Sequence, residues 1–186
     1  MVESRGWLRI EPCCMMMYCD ICYDLREWES VMNNETSITE LELMSSQREV
    51  ETLHAFFAAW YNGELENGEG EFARFAEVMG EGFHMITPRG DVFDRVQVLG
   101  FVREGWRQFD AGDEFAIEIR NFRVMERLSD EVIVVLYEEW QTEVGFVDEE
   151  GRVRSRGRLS AAGLARDESM VNGWRWLFVH EVWLPE

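Results

Sequence analysis

There is no lysine in this chain of 186 residues; all eighteen basic side chains are arginine, so every fixed positive charge is a guanidinium. Positive charge of any kind is scarce. The eighteen Arg face 37 Asp and Glu, and the net charge of −19 excludes nucleic acid as a partner, because phosphate binding needs clustered cations to displace counterions. An acidic chain without lysine suits a proteome adapted to high salt, where carboxylates stay hydrated and their repulsion is screened. A GC-rich genome also replaces lysine by arginine, but it does not explain two acids for every base. Long apolar runs are missing as well. No stretch approaches the roughly 18 apolar residues of a membrane span, and the start lacks the basic, apolar, small order of a signal peptide. The reading is a cytoplasmic protein with no membrane partner.

Cysteine is absent after position 22. Cys13, Cys14, Cys19 and Cys22 sit together in EPCCMMMYCDIC. Cys19 and Cys22 have a spacing that can chelate zinc or cycle as a dithiol. The adjacent Cys13 and Cys14 make a poor second knuckle, however, and the first histidine is His54. No metal and no cofactor are assigned. Residues 1–44 differ in composition from the rest, with every Cys, a Met run at 15–17 and no sustained period. They read as a leader, either a disordered extension or sequence upstream of a true start at Met44, and 45–186 as a single domain.

What is present is core material: 46% hydrophobic residues, with eight Trp and twelve Phe. Val50, Leu53, Phe57 and Trp60 or Tyr61 recur at helical spacing over 46–62, with Ser45 or Ser46 as N-cap and Asn62-Gly63 as the stop. Phe72, Phe75, Ala76 and Met79 mark a second helix over 69–79, with Gly80 and Gly82 beyond it. Phe83 to Thr87 is a short strand ended by Pro88. Asp94 caps a third helix reaching Phe109, with Val98, Leu99, Val102 and Trp106 inward. Four longer strands follow: one around Phe115, Ile117 and Ile119, then 131–143, 156–166 and 173–184. Helices first and an antiparallel meander last predict an α+β fold, a cone-shaped curved antiparallel sheet packed against about three N-terminal helices.

The last strand, GWRWLFVHEVWL, decides most about a site. Strict alternation puts Trp174, Trp176, Phe178, His180 and Val182 on one side, and Arg175, Leu177, Val179, Glu181 and Trp183 on the other. A strand apolar on both faces needs cover on both. One face therefore meets core or cavity, and the other a second copy, which predicts a homodimer through the sheet.

The order of elements resembles the nuclear transport factor 2-like superfamily, including SnoaL-like proteins and ketosteroid isomerase, over Val50 to Leu184. The resemblance rests on Phe56-Phe57-Ala58-Ala59-Trp60, Phe83-His84-Met85-Ile86-Thr87-Pro88-Arg89-Gly90, Arg158-Leu159-Ser160 and Trp176-Leu177-Phe178-Val179-His180-Glu181. It implies a cone-shaped pocket between sheet and helices and commonly a homodimer. In ketosteroid isomerases the general base is an Asp just before the Pro of the short strand. Thr87 stands there, and a threonine is no base near neutral pH. Tyr61 is a possible counterpart of the phenol donor, with Trp60 competing for the inward position.

The candidate polar constellation is Glu139, Trp140, Arg158 and His180, from neighbouring strands. An Arg in an apolar cavity keeps its charge and can bind a carboxylate bidentately; His180 can act as acid or base. Trp60, Tyr61 and Trp176 complete the ligand-binding set, with His180 as the catalytic candidate. The blander accounts are a satisfied core histidine and a surface ion pair. His54 is placed at the edge of the buried stripe, and His84 in water or cavity. Two functions remain: a small-molecule-binding homodimer with an apolar pocket and no chemistry, or an isomerase, lyase or hydrolase of a small apolar metabolite using His180 and Arg158. The acidic surface carries its own expectation. Thermal melts in molar salt should show a higher midpoint than in dilute buffer; a midpoint that is flat or falls removes the salt-adaptation reading.

Overall fold

A computed structural model describes residues 38–109, 115–147 and 153–185. Of the residues read as a leader, 1–37 with all four cysteines lie outside the described residues, and 40–44 belong to the first helix. Among the described residues three helices, α1 (Glu40–Tyr61), α2 (Glu69–Val78) and α3 (Arg95–Glu104), accompany six strands: β1 (Met79–Ile86), β2 (Val92–Asp94), β3 (Ala116–Ser129), β4 (Val132–Val147), β5 (Val153–Arg166) and β6 (Trp174–Trp183). The strand order is β2-β1-β6-β5-β4-β3. Every pairing is antiparallel except β1 with β6, which is parallel. The chain is α+β, a curved open sheet with helices on its concave face.

Helix α1 starts earlier than the Ser45–Ser46 cap that the sequence suggests. Thr39 is its N-cap and forms a capping box: Glu42 N donates to Thr39 Oγ1 (3.2 Å), and Thr39 N donates to Glu42 Oε2 (2.9 Å). The same carboxylate accepts from Arg127 Nη2 at 2.6 Å and from Arg166 Nη2, which ties the first turn of the helix to β3 and β5. The far end closes as read. Asn62 is the C-cap, and Gly63 follows at φ 69°, a left-handed conformation that glycine adopts without strain. Asn62 also exchanges two hydrogen bonds with the backbone of Phe115 at 2.9 and 3.0 Å, fixing the approach to β3. Asp94 caps α3 with Gln97 as its capping-box partner, but that helix stops at Gly105, short of Phe109.

The core lies between α1 and the concave sheet face. Val50, Leu53 and Trp60 of α1, Phe75 of α2, Ile133 and Val135 of β4, and Leu164, Trp174 and Trp176 of β5 and β6 are all buried. Burial of this kind contributes roughly 1.5–3 kcal/mol per large side chain. Trp60 Nε1 donates to Val102 O at 2.7 Å, so even its polar atom is satisfied within the core.

Two irregularities shape the sheet. Asn121, at φ 52°, stands where the β3–β4 register shifts between Arg120 and Arg123, and such bulges bend a strand. The second lies on β6, where Gly163 pairs with Phe178 but Leu164 pairs with Trp176, leaving Leu177 as the extra residue. Phe178 packs over Gly163, where a Cβ would lie 2.4 Å from the ring. The bulge reverses the alternation of every residue after it.

The Glu42 cluster sets the acid limit of the fold. Arg127 above all holds the Glu42 carboxyl down to about 2, against an ordinary 4.5, so its contribution is complete above about pH 4.5 and is lost as pH falls through about 2. Glu42→Gln should cost roughly 1–3 kcal/mol at neutral pH and leave urea-unfolding midpoints less dependent on pH over that acid window. An unchanged profile would mean that these ion pairs do not hold α1.

Candidate functional site

A cavity of about 300 Å³ opens on the concave face between the helices and β1, β3, β4, β5 and β6. Its walls are apolar and largely aromatic, with Phe57, Phe75, Phe83, Tyr137 and Trp176 among them. Phe101, half exposed, meets Phe93 edge-on at 5.0 Å on the same lining. Its polar groups are concentrated in one ion-pair cluster: Arg158 with Glu139, Glu181 and His54.

Arg158 is the centre of the cluster. Nη2 donates to Glu139 Oε1 at 2.6 Å and Nη1 to Glu181 Oε2 at 2.9 Å. Cross-strand register makes this possible: Glu139 is opposite Arg158 on β4, while Glu181 is two residues from Trp183, the Arg158 partner on β6. On α1, His54 Nδ1 lies 2.7 Å from Val50 O, and a carbonyl only accepts, so Nδ1 carries a proton. Nε2 then faces Glu139 Oε2 at 3.3 Å. Gln141 Nε2 also donates to Glu139 Oε1, at 2.7 Å.

The two carboxyls are pushed in opposite directions. Burial alone would raise Glu139, but His54, Arg158 and Gln141 outweigh it and bring the carboxyl down to about 2. Among the described residues Glu181 has only Arg158 as a donor. Burial pushes it up to about 7, with the charge of Glu139 pushing the same way and Arg158 opposing. Burial, reinforced by Glu139, also raises the phenols of Tyr61, to about 12, and Tyr137, so both keep their protons. Arg158 Nε is buried with no acceptor among the described residues.

Of the residues the sequence singled out, Tyr61, Glu139, Arg158 and Trp176 line the cavity. Trp60 does not; it is core. Trp140 follows Glu139 on an alternating strand and so faces away, donating to Glu138 Oε2 at 2.9 Å with the Arg120 guanidinium over its ring. His180 is exposed on the convex face, because the Leu177 bulge moves Val179 and Glu181 inward and turns Phe178, His180 and Val182 outward. Arg158, read from the sequence as an anion anchor, donates through Nη1 and Nη2 to two carboxylates and keeps Nε without an acceptor among the described residues. His54, Tyr137, Gln141 and Glu181 are polar lining residues that were not selected from sequence. His54 is one turn beyond Val50 and next to Leu53, a position the buried stripe itself marks, and Tyr137 and Glu139 continue the inward alternation of Ile133 and Val135.

No protein-family model matches the chain, and no curated protein matches it by sequence. Solved structures do. An NTF-2-like protein of unknown function from Pseudomonas aeruginosa superposes with a TM-score of 0.63 at 20% identity, over 76% of this chain and 99% of that one. The chain has the nuclear transport factor 2-like fold. The association domain of C. elegans CaMKII shares the fold at TM-score 0.53 and 14% identity, covering 77% of this chain and 99% of its own. A type 2 hexachlorocyclohexane dehydrochlorinase (LinA) does so at 0.53 and 10%, covering 79% and 90%.

Within this nuclear transport factor 2-like cone Thr87 lines the cavity, and its Oγ1 accepts from Arg89 N at 3.3 Å and Asp91 N at 3.2 Å, organising the β1–β2 turn. Trp176 is fixed from behind, donating to the fully buried Glu49 at 3.0 Å; Arg74 and Asn172 hold the other oxygen of that carboxylate. Among the described residues no group of three or more His, Cys, Asp or Glu is placed to hold a metal.

The raised Glu181 gives a signed expectation. A carboxyl at about 7 when folded and near 4.5 when unfolded favours the fold while protonated, and that advantage is lost as pH rises through about 7. Glu181→Gln keeps an oxygen for Arg158. It should melt close to the unaltered chain near pH 5 and above it near pH 8. A variant less stable at both would show that the carboxylate is the form the fold requires.

Proposed function

We propose that the chain is a small-molecule-binding protein whose ligand occupies the concave cavity, its apolar body against the aromatic walls and one polar group at the Arg158 cluster. The observation that carries this reading is the segregation of the lining, an apolar chamber with its ionisable groups gathered in one buried network around Arg158. Ligand sites commonly pair apolar walls with a few convergent polar groups. The volume of about 300 Å³ admits a molecule of roughly ten non-hydrogen atoms at protein-like packing density. The dehydrochlorinase with the same fold is, by its name, an enzyme acting on a small apolar molecule, which supports the size class.

A second reading is favoured by one observation, the split between Glu139 at about 2 and Glu181 at about 7. Paired carboxyls driven apart are the arrangement that supplies a fixed charge and a mobile proton near neutral pH. In an isomerase, lyase or hydrolase of a small apolar metabolite, Glu181 would carry the proton, the role the sequence suggests for His180.

The convex face supports a homodimer through the sheet in a cytoplasmic protein. Val182 is 47% exposed there beside Phe178 and His180, an apolar strip on the face turned away from the core. The CaMKII association domain, named for assembly, shares the fold. Among the described residues no helix is long and apolar enough to cross a membrane.

Native mass spectrometry of protein purified at high salt from its own host tests both parts. A dimer that releases a small molecule on activation is the expected result. An empty species that stays empty after incubation with small apolar compounds would overturn the binding reading, and a monomer at micromolar concentration would overturn the dimer.

A further inference from the structure

We propose that the polar group of the ligand is an amine, bound as an ammonium by Glu181 within the aromatic walls of the cavity. The inference rests on the small-molecule reading above and adds the chemical class. Its starting point is an unsatisfied acceptor. Glu181 is 4% exposed and lines the cavity; Oε2 accepts from Arg158 Nη1 at 2.9 Å, while Oε1 accepts no hydrogen bond among the described residues. Glu181 lines the cavity, and a carboxylate oxygen there that no protein donor occupies is left to solvent or to a donor on the ligand.

The sign of the ligand charge follows from how the cluster is paired. The Arg158 guanidinium is divided between two carboxylates, and the His54 ring is directed at Glu139. An anion entering the cavity would meet two carboxylates, and among the described residues the lining cations, Arg158 and the His54 ring, are already directed at them, Arg158 keeping only its enclosed Nε without an acceptor. An ammonium would meet the open oxygen of Glu181. The walls suit the same sign, because Phe57, Tyr137 and Trp176 line the cavity and aromatic rings attract cations placed over their faces within about 6 Å. The net charge of −19 draws cations toward the molecule from a distance.

Ionisation of Glu181 should therefore gate binding. The charged and titratable groups that share its cavity are Arg158 from β5, Glu139 and Tyr137 from β4, and His54 and Tyr61 from α1; β1 contributes Met79, Phe83 and Met85 and the turn after it Thr87, none of which titrates. Burial places the Glu181 carboxyl at about 7. An aliphatic amine stays protonated through that range, so its affinity should rise as Glu181 loses its proton.

The experiment is isothermal titration of the full chain with phenethylamine, phenethyl alcohol and hydrocinnamate, which share an apolar body and differ in the polar end. Near pH 8 the amine should bind at least about tenfold tighter than the alcohol, with the carboxylate weakest. The preference should shrink near pH 6 and vanish in Glu181→Gln, with alcohol binding retained. Equal binding of all three, or tightest binding of the carboxylate, overturns the amine inference and leaves the small-molecule reading standing. Binding of none overturns both. Should Glu181→Gln fail to fold, the pH series on the unaltered chain decides, and amine affinity that does not change between the two pH values refutes the inference.

Discussion

One guanidinium shared between two buried carboxylates governs the concave side of this molecule. Arg158 cannot neutralise Glu139 and Glu181 together, so their remaining requirements are met unequally: Glu139 gains His54 and Gln141, and Glu181 gains nothing more among the described residues. Desolvation of a charge costs several kcal/mol in a protein interior, and breaking one member of such a set leaves the others uncompensated. The cluster therefore fixes where α1 sits against β4, through His54, and where β6 sits against β5, through Glu181. The chamber is held open by the same geometry, since its polar walls are bonded to one another across three strands and a helix.

Much of the architecture was legible in the sequence because each element carries its own period and its own stops. Gly63 ended α1, Asp94 began α3, and the alternation of Ile133, Val135, Tyr137 and Glu139 gave the inward face of β4. The beginning of α1 was misplaced. Two serines offer a plausible cap at 45 and 46, whereas the capping box at Thr39 gains its advantage from Arg127 and Arg166, far along the chain. Gly80 and Gly82 read as a helix stop, yet they lie inside β1, where Gly80 lets the backbone approach Trp176 O. The parallel pairing of β1 with β6 had no local signal at all.

The site was legible only in part, and the reason is a single residue. Alternation along β6 holds as far as Trp176, then Leu177 is inserted without a partner and the phase reverses. Tyr61, Glu139, Arg158 and Trp176 lie on regular stretches and fall where periodicity puts them. His180 and Glu181 lie beyond the bulge and exchange faces. The one sequence hint was Gly163, a strand glycine able to receive Phe178 on the outer face, and its meaning depends on knowing which residue it opposes.

The polar bonds of α1 also bear on how the chain acquires its fold. Glu42 meets Arg166 across 124 positions, Glu49 meets Asn172 across 123, and Glu49 meets Trp176 across 127. Contacts of such separation are slow to form, because loop closure must precede any gain from them. During synthesis the helix emerges long before most of its partners, and Glu49 lacks its indole donor until Trp176 has been made. Assembly is thereby deferred to the last strand. Docking of β6 inserts an indole donor beside Glu49 and a carboxyl beside Arg158 in one event, so the helix and the chamber reach their final form together.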